Sequence, residues 1–186
     1  GLQWARRALR LMPENPFLLV MTADIAAKQG ALDLAVTSAR DALRYLEHAE
    51  APSPISPQQW PQARSGLRAT ALFVLGRVAA HREQYREAEQ SLLASLTLNP
   101  DDIEALYTIG VVRMAVRADE GAARVFARVV QANGALSAAA LESLRVLYAR
   151  SGRAAAIGFD DWSRSLKWSP PEPAQPATEP REPGRY

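Results

Sequence analysis

The sequence predicts an all-α protein, and three observations carry that prediction. No run of β-branched residues alternates with polar ones over the length of a strand. Apolar residues recur instead at helical spacing, as in Leu2, Ala5, Ala8, Leu9 and Met12, within stretches rich in Ala, Leu, Arg and Glu. Proline lacks an amide donor and clashes with the preceding turn. Of the 13 prolines, four fall at Pro52, Pro54, Pro57 and Pro61 and six between Pro170 and Pro183, leaving the rest free to be helical.

Composition sets outer bounds. A chain of 186 residues is long enough to bury a real core. With no cysteine it has no disulfide framework, thiolate zinc site or cysteine nucleophile. The 22 basic and 20 acidic residues nearly balance, and the small excess falls between Ala51 and Pro100, so no nucleic-acid partner is expected. The longest apolar runs, Phe17 to Met21 and Ala71 to Gly76, are too short to span a bilayer. Only Lys28 and Lys167 are lysine, and with abundant alanine this bias suggests a GC-rich bacterial genome. A helix that opens at Gly1 without a Met suggests a processed or partial chain whose targeting signal is lost. The compartment, cytoplasmic or periplasmic, stays open.

The elements follow in order. Gly1 to Asn15 reads as one helix closed by Pro13. Residues 16–49 read as a helix pair turning at Gly30, which suits a left-handed C-terminal turn. Residues 50–68 are a Pro-rich insertion followed by extra turns on the next helix. Ser56 with Gln59 could open that helix as a capping box, and a start at Trp60 or later is equally compatible with Pro61. The insertion is read as a loop anchored by Trp60, or as a binding loop. Asn99-Pro100-Asp101-Asp102 closes the helix pair of 69–102 and caps the next pair, 103–136, where Gly134 again suits a left-handed turn. Residues 137–168 read as a further helix and a terminal capping helix carrying Phe159, Trp162, Leu166 and Trp168. The acids Asp160 and Asp161 sit at its start. Residues 169–186 are a Pro-rich tail, expected to be extended.

A fixed period connects these elements. Gly76 and Gly110 lie 34 residues apart, as do Leu72 and Leu106, Leu75 and Ile109, Ala88 and Ala122, and Leu92 and Phe126. Ala23 to Gly76 and Ala35 to Ala88 give 53, so one insertion of 19 residues between Ala42 and Leu72 accounts for the shift. These residues, with Tyr85 and Pro100, resemble the tetratricopeptide repeat, a 34-residue helix–turn–helix unit. The copy at 69–102 is the best match. The copy at 103–136 departs at Arg113 and at Gly134. Residues 1–15 resemble the second helix of a truncated unit, and 137–168 a partial unit whose second helix fits poorly at Asp160. The resemblance implies a right-handed superhelical stack of helix hairpins, an α-solenoid.

Chemistry-bearing motifs are sparse. The two histidines, His48 and His81, are not at ligand spacing, and no nucleophile elbow, zinc-protease motif or phosphate-binding loop occurs. The chain is therefore read as no enzyme, with no cofactor and no small-molecule substrate. Asp119 and Glu120 are expected to neutralise Arg113 or Arg117. The resemblance implies a concave groove lined by Phe73, Arg77 and His81, by Tyr107, Val111 and Met114, by Leu141, Arg145 and Tyr148, and earlier by Val20, Asp24 and Lys28. Such an aromatic and aliphatic surface with scattered arginines suits a protein or peptide with apolar anchors and some acidic groups. The basic and asparagine clamp that grips chaperone C-termini is not matched at Val20, Asp24, Phe73 and Tyr107. The expected activity is a protein-interaction scaffold. The alternatives are a structural subunit of a larger assembly, touching a membrane only through its partners, and the regulatory region of an enzyme encoded upstream.

Overall fold

The computed structural model describes residues 1–52, 54–153 and 156–171, and among them it is all-helical with no strand. Nine helices follow in order: α1 (Leu2–Leu11), α2 (Pro16–Lys28), α3 (Leu32–His48), α4 (Trp60–His81), α5 (Tyr85–Leu98), α6 (Ile103–Ala115), α7 (Asp119–Gln131), α8 (Ser137–Arg150) and α9 (Phe159–Ser165). Each helix packs on the next, and α4 also meets α2 and α6. The tail expectation falls mainly outside the described residues.

Local chemistry explains the helix ends. The Asn15 side chain accepts from the amides of Phe17 and Leu18 at 3.0 and 3.1 Å, and Pro16 takes the first helical position, where no amide is needed. Asp102 caps α6 by accepting from the Ala105 amide at 3.0 Å. The turns that close α2, α4 and α6 share one geometry. The amides of Ala31, Gln84 and Ala118 each donate to the carbonyl five residues back, at Ala26, Ala79 and Arg113, all at 2.9 Å. The residue before each amide is left-handed: Gly30 (φ 76°), Glu83 (φ 59°) and Arg117 (φ 62°). This is the Schellman closure. It recurs at the two offsets seen in the sequence, 53 and then 34. Gly134 does not take the expected left-handed turn; Asn133 does, at φ 51°.

The insertion resolves as a loop and a long helix. Ser56 and Gln59 do bond reciprocally, with Gln59 N donating to Ser56 Oγ at 3.3 Å and Ser56 Oγ to Gln59 Oε1 at 3.1 Å. They close a turn, however, and the 22-residue α4 begins after it at Trp60. The indole is buried, donates to the Ala49 carbonyl at 2.9 Å, and lies 6.3 Å from the Phe17 ring. Trp60 thus anchors the loop to the end of α3 and to α2.

The core has two clusters with α4 as their common wall. The first joins Leu19, Val20, Ala23, Ala26, Ala35, Ala39 and Ala42 to Ala71, Val74 and Val78 of α4. The second joins Phe73 of α4 to Leu92, Leu96, Leu106, Ile109, Phe126, Leu144, Leu147 and Trp162. Two glycines set the second cluster. A Cβ on Gly76 would lie 2.7 Å from Leu92 Cγ, and one on Gly110 would lie 2.8 Å from Phe126 Cε1. The missing side chain lets a Leu or Phe from the following helix enter the helix face. The next position in the period is Leu144, which is itself buried. A large residue there leaves no such recess. The short α9 instead buries Trp162, two residues past the periodic Asp160.

Candidate functional site

The face between α4, α6 and the α7–α8 turn holds a cleft of about 450 Å³. Phe73 and Arg77 enter it from α4, one turn apart, and Ile103, Tyr107 and Thr108 from the start of α6. The turn contributes Ala135 and Leu136. The Asp102 cap fixes where α6 begins, and so which of its residues face the cleft. The structure thus brings together three of the residues expected in a groove: Phe73, Arg77 and Tyr107.

Their roles differ from expectation. Phe73 is 5% exposed and belongs to the core, with only an edge in the cleft. The Arg77 guanidinium stands 5.1 Å from the Phe73 ring centroid and bonds to the Asp24 carboxylate at 3.1 Å and the Asp24 carbonyl at 3.3 Å. Its charge is already answered within the chain, and Asp24 also holds Lys28 at 2.8 Å. Neither Arg77 nor Asp24 is therefore a free ionic contact. Tyr107 is half-buried and edge-on to Phe126, with centroids 5.6 Å apart. The cleft offers apolar surface and the exposed carboxylate of Glu104, more than it offers positive charge.

The other expected groove residues are not gathered there. His81 is exposed at the end of α4, and Val111 is 45% exposed on α6. Met114 packs against the second core cluster, and Val20 is buried in the first. The face carrying Leu141, Arg145 and Tyr148 is occupied by α9. Tyr148 donates its hydroxyl to the Ile157 carbonyl and meets Phe159 edge-on and Trp162 at a tilt. The Arg145 guanidinium lies 5.2 Å from the Phe159 centroid, and Leu141 shares a small cavity with Ser163 and Arg164. Tyr148 is engaged by α9 and the segment leading into it, with Arg145 and Leu141 beside it.

The charge pairing of the α6–α7 turn also differs. Arg113 bonds to Glu89 at 2.8 Å, Glu120 to Arg124 at 2.6 Å, and Asp119 to Arg150 at 3.3 Å. Asp119 and Glu120 thus serve α7 and α8, not Arg113 or Arg117. A larger cleft of about 680 Å³ opens beside them, where Arg124, Arg150, Arg153 and Lys167 surround Trp162 and Leu166. Sequence reading missed it, because its walls come from three helices with no common motif.

No group of three or more His, Cys, Asp or Glu among the described residues is placed to hold a metal ion. No described helix is long and apolar enough to cross a membrane. A scan against protein-family models and a search of curated proteins both find no match to this chain.

Proposed function

We propose that the chain is a non-catalytic interaction scaffold of tetratricopeptide-like hairpins stacked as a superhelix. On this reading it holds a partner protein segment in the cleft between α4 and α6. The observation that carries the binding reading is the cleft itself. Ile103 and Tyr107 of α6 and Leu136 of the α7–α8 turn form an open apolar surface beside the pre-neutralised Arg77 of α4. Such a surface suits the apolar side chains of an extended or helical segment, with main-chain polarity left to solvent and to Thr108. The repeat reading is supported by the identical turns at Gly30, Glu83 and Arg117 and by the paired recesses at Gly76 and Gly110.

The test must spare the core. Phe73→Ala would open a cavity in the core and Arg77→Ala would remove the link from α4 to Asp24 of α2, so neither separates binding from folding. Thr108→Arg with Ala135→Arg instead fills the cleft from residues outside the core. Affinity purification of the chain from its source, with mass spectrometry, is expected to recover a stoichiometric partner. That partner should be lost in the double variant while its circular dichroism and melting stay unchanged. Retention of the partner by the folded double variant moves the contact elsewhere and favours a subunit built into an assembly through its other faces.

A further inference from the structure

The two charged residues that line the α4–α6 cleft, Arg77 and Glu104, are not equivalent. The Arg77 guanidinium is bonded to the Asp24 carboxylate and carbonyl, so its charge is answered from within the chain. Glu104 is exposed and has no ionic partner among the described residues. The other acids at the start of α6 are already used. Asp101 holds Arg128 at 2.6 Å, and Asp102 accepts from the Ala105 amide at 3.0 Å.

Glu104, Tyr107 and Thr108 are three and four residues apart, which sets them on one side of α6. The Thr108 hydroxyl spends its proton on the Glu104 carbonyl at 2.7 Å, so toward the cleft it can only accept. An ionised carboxylate likewise only accepts, and the face of a tyrosine ring attracts cations. Among the residues lining the cleft there are thus acceptors and no unpaired cation, beside the apolar surface of Ile103 and Leu136. An acidic segment would be repelled by Glu104 and would find Arg77 engaged.

We infer, resting on the cleft as the binding site, that the partner segment it holds is basic. The segment carries an arginine or lysine beside its apolar side chain, and that cation sits against Glu104, Thr108 and the Tyr107 ring. Its charge is the opposite of the acidic groups suggested by the scattered arginines of the sequence, because the arginine of the cleft is paired internally.

The probes are three fluorescein-labelled peptides of one design, with leucine anchors flanked by arginines, by citrullines or by glutamates. Citrulline keeps the size of arginine without its charge. Each is titrated with the full chain and followed by anisotropy. The arginine peptide is expected to bind most tightly, and its advantage over the citrulline peptide to shrink as salt rises. Glu104→Gln is expected to weaken the arginine peptide about three- to fivefold and to leave the citrulline peptide unchanged. Ala135→Trp, an uncharged change in the exposed turn, is expected to weaken both by filling the cleft. Equal binding of the arginine and citrulline peptides, or a preference that survives Glu104→Gln, overturns the inference, while loss of both in Ala135→Trp keeps the cleft as the site. Tightest binding by the glutamate peptide overturns it in favour of an acidic partner. No binding by any of the three overturns the inference alone. Binding of the arginine peptide that Ala135→Trp leaves intact removes the cleft as the site, and the inference with it.

Discussion

The two core clusters are built from one repeating plan with opposite choices of side chain. Around α2 and α3 the crossing point is Ala23 against Ala39, two small residues that let backbones approach over a thin apolar layer. At the equivalent positions downstream it is Gly76 against Leu92 and Gly110 against Phe126, a recess and a knob. Both solutions fill space, but they do not bury the same area. A buried Leu or Phe removes apolar surface worth about 1.5–3 kcal/mol from water, and a methyl group much less. The alanine-rich half also buries the Thr22 hydroxyl with no hydrogen-bond partner, where the same period places Leu75 and Ile109 later. The period therefore specifies the path of the backbone, while the stability of each unit depends on how its crossing is filled.

The largest effect should come from removing a knob. Phe126→Ala is expected to lower stability by about 3–5 kcal/mol in urea unfolding followed by circular dichroism. Ala39→Gly, the equivalent position in the alanine-rich half, should cost only about 0.5–1 kcal/mol, mostly from backbone freedom. Equal costs would erase the contrast between the halves. Filling a recess comes next. Gly110→Ala should cost about 1–3 kcal/mol by overpacking against Phe126, and Phe126→Leu should recover part of it in the double variant. Additive losses would mean that the ring and the glycine do not share one volume. The last effect carries the opposite sign. Thr22→Val should raise stability by about 1 kcal/mol by removing a buried, unpaired hydroxyl. A loss there would mean that the hydroxyl is bonded in solution.

Much of the architecture was legible because it depends on short-range signals. The 34-residue offset, the glycines at 76 and 110 and a cap at Asp101 or Asp102 rest on residue type at a position in a helical period, and the Trp60 anchor rests on an apolar ring within a Pro-rich insertion. The candidate site was legible only in part. A helix turns about 100° per residue, so family positions name a side of the helix without fixing how deep a ring sinks. Phe73 went into the core and Tyr107 stayed half-buried, although they are one period apart. The Asp24–Arg77 bond joins residues 53 apart, and local pattern does not report such partners. The α9 helix was foreseen as a cap. Its place beside Tyr148 was not, because Leu144 stands one period after Gly110, where a large side chain replaces the recess.

One consequence of the shared wall concerns synthesis. Helix α4 gives Ala71, Val74 and Val78 to one cluster and Phe73 and Ala79 to the other. The α2–α3 pair emerges from the ribosome before α4, and its apolar side stays uncovered while the loop and α4 are made. At about 5–20 residues per second that interval lasts on the order of seconds. An alanine-lined surface is a weak lure for unwanted contacts over that time, and a leucine-lined one would be a strong lure. The thin layer that buries less apolar area around α2 and α3 also makes that pair the safer one to leave uncovered until α4 is made.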